Sequence, residues 1–147
     1  MKKKYFIPLS IAAAIVAVIA VTILILLQKP SIRFLFHMAE LTTPDDYYTK
    51  ERTFDLGDRT LGVMIYRHKK IKSDKYYMIV HGLTPQEYNH PAMHLLAASI
   101  CDATGMNVLK PYITMYKQEG RLPVAASIDN IALAYKTLHE KFPGDYR

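Results

Sequence analysis

Tyr76-Tyr77-Met78-Ile79-Val80-His81-Gly82-Leu83 is the stretch on which the fold turns. Tyr76 to Val80 is rich in aromatic and β-branched residues and apolar at every position. That composition predicts a strand with both faces covered, as at the centre of a sheet flanked by helices. The run stops at His81-Gly82, and Thr84-Pro85 turns the chain. A helical pattern begins near His90. Asn89 or His90 can cap it, Pro91 suits its first turn, and Gly105 can close it after Thr104. Met93, Leu96, Ala97 and Ile100 recur at helical spacing and predict its buried stripe.

Around this unit the chain alternates strands with helices. Arg52 to Leu56 and Thr60 to Tyr66, joined by the turn signal Gly57-Asp58, predict an antiparallel hairpin. Arg67-His68-Lys69-Lys70 with Lys72 then reads as a solvated basic loop. Asn107 to Ile113 predicts a further strand, and a polar loop around Lys117 to Arg121 follows. A second amphipathic helix is expected from Ser127 to Lys141. Its expected apolar face is Ile128, Ile131, Ala132, Tyr135, Leu138 and Phe142, and Pro143-Gly144 ends it. The order is hairpin, strand, helix, strand, helix, which argues an α/β protein with a largely parallel sheet.

Ahead of this domain, Phe6 to Leu27 is an uncharged run of mostly Ile, Val, Leu and Ala. Its 22 residues would span roughly 33 Å as a helix, near the thickness of a bilayer core. Lys2, Lys3 and Lys4 precede it, which predicts a cytoplasmic N-terminus and an extracytoplasmic domain. The run is longer than a signal-peptide core and exits through Leu26-Leu27-Gln28-Lys29-Pro30, with no small-residue cleavage site. A single-pass anchor over residues 6–27 is therefore expected. Ser31 to Leu41, with Ile32, Leu35, Phe36 and Met38 as apolar members, should lie against the domain or the membrane surface. The expected organisation is a basic tip and anchor (1–30), a juxtamembrane segment (31–50) and the domain (51–147).

The net charge of +6 does not point to nucleic acid. Four of the 19 basic residues flank the anchor, and the other 15 nearly balance 13 acidic ones. Cys101 is the only cysteine, so no internal disulfide can form, and its apolar surroundings predict a buried, inert thiol. His90 and His94 share a helix face at metal-ligand spacing, and His81 could in principle join them. Pro91 stands where a zinc-protease helix carries its glutamate, and no acidic ligand is near. Neither metal nor other cofactor is expected, and these histidines read as polar residues at the mouth of a pocket.

From about Arg52 to Arg147 the chain resembles the first half of the α/β-hydrolase superfamily. The residues that carry this are Tyr77 to Leu83 for the third strand and its loop, Asn107 to Tyr112 for the fourth strand, and Ser127 to Ile131 opening the next helix. The resemblance implies a partial hydrolase sheet (an antiparallel hairpin followed by β-α-β-α) behind a single transmembrane helix. It implies that Gly82 and Leu83 form the oxyanion-hole turn, with Leu83 lending a backbone N–H and His81 supporting them. Thr84, His90 and His94 would then stand at the pocket mouth. Backbone donors at such a site typically contribute about 2.7–4 kcal/mol each to the transition state. In this family the third strand pairs with the fourth on one side and with the nucleophile strand on the other. No Gly-x-Ser-x-Gly occurs, and neither Ser10, Ser31, Ser73, Ser99 nor Ser127 has a glycine two residues away. The nucleophile strand would begin after Tyr146-Arg147, leaving Tyr76 to Val80 as an apolar edge. The expected function is a membrane-anchored serine hydrolase acting on a small ester, amide or lipid-like substrate, with nucleophile, acid and catalytic histidine outside these residues. The alternative is a short, non-catalytic anchored binding module.

Overall fold

The computed structural model describes residues 9–57, 59–80, 89–113 and 124–146. Helix α1 (Leu9–Leu27) is uncharged and almost wholly aliphatic, and the Thr22 hydroxyl donates back to the Val18 carbonyl at 2.8 Å. That bond satisfies the Thr22 hydroxyl within the helix itself. Helix α2 (Pro30–Met38) follows after a sharp bend. Among the described residues no single helix is long and apolar enough to cross a membrane. One bent pair, Ala13–Leu26 with Pro30–Met38 at 91°, has the length and composition together.

Five strands form one sheet. They are β1 (Tyr47–Asp55), β2 (Thr60–His68), β3 (Lys75–Met78), β4 (Asn107–Pro111) and β5 (Asp145–Tyr146), in the spatial order β1-β2-β4-β3-β5. The first pair is the expected hairpin, antiparallel from Tyr47↔His68 to Asp55↔Thr60. β2 pairs antiparallel with β4, while β3 lies parallel to both β4 and β5. Between β3 and β4 the chain crosses through α3 (Pro91–Thr104), and between β4 and β5 through α4 (Val124–Lys141).

The two helices cover opposite faces, and strand alternation sorts the side chains between them. Val63, Ile65, Tyr76 and Leu109 pack with Ala134 and Leu138 of α4. Tyr66 and Val108 pack with Ala97, Ala98 and Cys101 of α3. On β3 and its extension, Met78 and Val80 join the α4 side, while Tyr77 and Ile79 join the α3 side. This is why the stretch is apolar at every position. The ends of α3 are as expected. His90 Nδ1 accepts from the Ala92 N–H at 3.2 Å, and Gly105, at a left-handed φ of 72°, donates its N–H to the Cys101 carbonyl at 2.9 Å.

Several expectations are corrected. β1 starts at Tyr47, five residues before Arg52. It is an edge strand with most side chains in water, so its polar run Thr49-Lys50-Glu51-Arg52 has no periodic signal. Arg67 and His68 are not loop residues: they end β2, and His68 is buried. β3 is not an edge along its whole length, because Lys75↔Asp145 and Tyr76↔Tyr146 pair with β5. Gly144 allows that approach, since a Cβ there would collide with the Asp74 carbonyl and the Tyr76 ring. On α3 the buried residues are Ala97, Ala98, Ser99, Cys101, Asp102 and Ala103, a broader face than the expected stripe and rotated from it, because α2 covers the outer flank. On α4 the buried residues are Ala134, Thr137 and Leu138, whereas Ile128 and Tyr135 are exposed.

Candidate functional site

The carboxyl ends of β3 and β4 and the N-terminus of α3 meet at one edge of the sheet. Open α/β sheets bind ligands at that edge. His81, Gly82, Leu83 and Thr84, the residues expected to build the oxyanion turn and part of the pocket mouth, lie outside the described residues. His90 and His94 are both at this edge. His90 spends its Nδ1 on capping α3, whereas His94 points to the sheet.

There His94 joins a cluster that sequence patterning did not reveal. Its Nδ1 lies 2.5 Å from the hydroxyl of Tyr66 on β2, and its Nε2 lies 3.2 Å from Nζ of Lys110 on β4. Tyr66 and Lys110 are among the most deeply buried large side chains. Burial pushes the Tyr66 phenol well above its usual range, so it stays protonated. Burial also lowers the Lys110 ammonium to about 8, and burial with the neighbouring Lys110 charge lowers His94. A neutral imidazole has one N–H and one lone pair. With Lys110 charged, its ammonium donates to Nε2, and Nδ1–H donates to the Tyr66 oxygen. With Lys110 neutral, Tyr66 donates to Nδ1, and Nε2–H donates to the amine. The three side chains thus form one hydrogen-bonded cluster beneath the site edge, whose donor and acceptor roles follow the tautomer of His94. Both His94 nitrogens are engaged, and a cation stands beside one of them, so the ring is not presented to a metal.

A cavity of about 120 Å³ opens on the other face at the carboxyl end of β4, lined by Arg59, Leu61, Tyr112, Ile113, Asn130 and Ala134 among others. Neither His90 nor His94 lines it.

A second polar cluster sits at the opposite, amino edge of the parallel strands. Asp102 near the end of α3 is wholly buried. Its carboxylate accepts from Arg33 Nε at 2.8 Å, His37 Nε2 at 2.6 Å and the Asp46 backbone N–H at 2.8 Å. Thr42 Oγ1 lies 2.8 Å from the other nitrogen of His37. Asp46 pairs with Lys70 at 2.8 Å, and that hydrogen bond, against a weaker desolvation, holds the Asp46 carboxyl below and the Lys70 ammonium above their usual values. His68 accepts the Lys70 and Ile71 N–H groups on Nδ1, both at 3.1 Å, which leaves its proton on Nε2. Asp46, His68 and Asp102 have ligand atoms close enough to share a cation. The guanidinium of Arg33 and the ammonium of Lys70 already occupy the positive positions around those carboxylates, so the donor set does not suit a further metal ion. The cluster ties α2 to α3 and β2.

Cys101, beside Asp102, is fully buried, and burial with the adjacent carboxylate pushes its thiol up to about 12. It is inert, as its surroundings in the sequence predict.

Neither a family model nor a curated protein matches the chain. Among solved structures, one described as an alpha-beta serine hydrolase homologue from Coxiella burnetii superposes with a TM-score of 0.51 at 19% identity. The match covers 65% of this chain and 48% of that one. The fold is hydrolase-like. At that identity the likeness speaks for architecture alone, and this chain spans about half the length of the protein it matches. Within the hydrolase-like sheet, β3 pairs with β4 on one side, as the resemblance implied, and with the two-residue β5 on the other. Among the described serines none stands at a strand-to-helix turn: Ser31 lies within α2, Ser73 precedes β3, and Ser99 is buried inside α3.

Proposed function

We propose that this domain is the oxyanion-hole half of a membrane-anchored serine hydrolase of the α/β type, acting on ester or amide bonds. The observation that supports it best is the β4-β3-β5 arrangement: the strand that runs into His81-Gly82 lies parallel to the first residues of β5. In a serine hydrolase of this architecture a nucleophile carried beyond β5 would face the turn at Gly82 and Leu83. Leu83 would lend one backbone N–H, and the residue after the nucleophile the other. The Tyr66–His94–Lys110 cluster would lie behind that turn and hold the α3 end of the pocket in place. The substrate would be a small ester, amide or lipid-like molecule, processed through an acyl-enzyme.

The anchor is part of the same reading. Phe6 to Leu27 would cross the bilayer with Lys2 to Lys4 in the cytoplasm, and the apolar, solvent-facing surface of α1 supports this. A reporter fused after Arg147 should be active only outside the cytoplasm.

The decisive experiment is fluorophosphonate labelling. Residues 1–147 alone should not label. The reading frame read through beyond β5 should encode a Gly-x-Ser-x-Gly turn, and the protein carrying it should label at that serine. In that protein Gly82→Val should lower kcat about 100-fold or more with little change in KM, because oxyanion donors act in the transition state. An unchanged kcat would refute the role of the turn. Absence of any serine elbow in the intact gene would favour the second reading, a non-catalytic binding module.

A further inference from the structure

Helix α2 turns polar residues inward and a leucine outward, with Ile32, Phe34 and Phe36 half-buried between them. Its polar residues Arg33 and His37 face the domain and close on the buried Asp102. With 3.6 residues per turn, Leu35 lies about 200° from Arg33, directly opposite that inward face. Leu35 is 62% exposed, Met38 is 39% exposed, and Leu41, just past the helix, is 69% exposed. A surface helix on a water-soluble domain arranges these the other way round. The inward face cannot rotate to hide the leucine, because Arg33 and His37 are held by a carboxylate with no access to water.

We infer that the outward face of α2, centred on Leu35 with Met38 and Leu41, is a membrane-contact surface seated at the headgroup–acyl boundary of the bilayer. Three observations choose lipid as the occupant. The face is continuous in the chain with α1, whose exposed surface is Ile, Val and Leu from Ile11 to Leu26. The 91° bend between the two helices lets one run along the membrane normal while the other lies in its plane. Exposed Lys29 stands at the joint, and Lys69, Lys70 and Lys72 lie on the loop joined to α2 through Asp46, where anionic headgroups would meet them. The Arg33–Asp102–His37 clamp then does more than fasten a linker. It fixes the domain rigidly on an in-plane helix, so that the sheet keeps one orientation to the membrane.

This inference rests on the anchoring reading above, and the test separates the two. The chain contains no tryptophan, so single substitutions give unique reporters in the full chain. Leu35→Trp probes the proposed face, Ile19→Trp the anchor, and Tyr48→Trp an exposed site on β1. Each is reconstituted in phosphatidylcholine–phosphatidylglycerol vesicles with bromine placed near the headgroup or near the chain end. The expected result is that shallow bromines at least halve Leu35→Trp emission, that deep bromines quench Ile19→Trp, and that Tyr48→Trp responds to neither. Leu35→Trp behaving like Tyr48→Trp, while Ile19→Trp is quenched, overturns the inference and leaves the anchor standing. A blue-shifted Leu35→Trp that no bromine quenches overturns it in favour of a protein partner, a second copy included. An unquenched Ile19→Trp removes the anchor, and this inference with it.

Discussion

Replacing Asp102 with alanine should release α2 from the domain while leaving the sheet intact. The carboxylate is wholly buried and accepts from Arg33, His37 and the Asp46 N–H, all within 2.8 Å. Alanine leaves the His37 ring, 3% exposed, without its acceptor. Removing one partner of a buried pair costs about 3–5 kcal/mol. Arg33 is one-third exposed and has Asp46 3.6 Å away to fall back on, which moves the expectation to the lower end. A loss of about 3 kcal/mol corresponds to roughly a 100-fold rise in the open population. Hydrogen exchange of the full chain in detergent micelles reads this directly, because local opening exposes the amides of one element without global unfolding. Protection at residues 34–38 should fall about 100-fold, while β2 and β4 keep theirs. Asp102→Asn preserves shape and one acceptor for the Asp46 N–H, so it should fall between. Exchange in α2 of Asp102→Ala within about threefold of wild type would refute the clamp, since that is under 1 kcal/mol.

Lys110 makes stability depend on pH. Its folded pKa near 8 lies below the ordinary 10.5, so the unfolded chain binds more protons between those values and stability rises with pH across that window. From pH 7 to 9 the gain should be about 1 kcal/mol in denaturant unfolding, and Lys110→Met should abolish it. A slope that Lys110→Met leaves unchanged would remove Lys110 as its source. Gly144→Val should cost about 1–3 kcal/mol by overpacking against Asp74 and Tyr76, with exchange protection lost first at β5. Equal protection at Tyr146 in the variant and wild type would argue against the close approach. Cys101 should resist a thiol reagent at pH 8 in the folded protein and react at once in denaturant. Fast native reaction would show that α3 does not bury it as described.

The sequence alone determined what local chemistry controls. Pro91 and Gly105 mark the ends of α3 because a missing N–H and a left-handed φ are properties of single residues. The apolar run Tyr76 to Val80 announced a segment packed on both faces, and Met78 and Val80 on one side with Tyr77 and Ile79 on the other bear that out, although the strand itself is Lys75–Met78. Strand–helix alternation was enough for an α/β sheet with a leading hairpin. The resemblance, in turn, anticipated the pairing of β3 with β4. Tertiary structure decided where polar side chains went. Patterning sends charge outward, yet Lys110, Asp102, His37 and His68 are all buried, each beside partners from other elements. His37 and Asp102 are 65 residues apart, Tyr66 and His94 are 28 apart, and His94 and Lys110 are 16 apart. No period or spacing encodes such meetings, because each depends on two elements being docked first. The same reason explains α2. Its composition marks it as amphipathic, but which side faces the domain depends on a carboxylate supplied from α3, and that carboxylate takes the polar side and leaves the leucine outward.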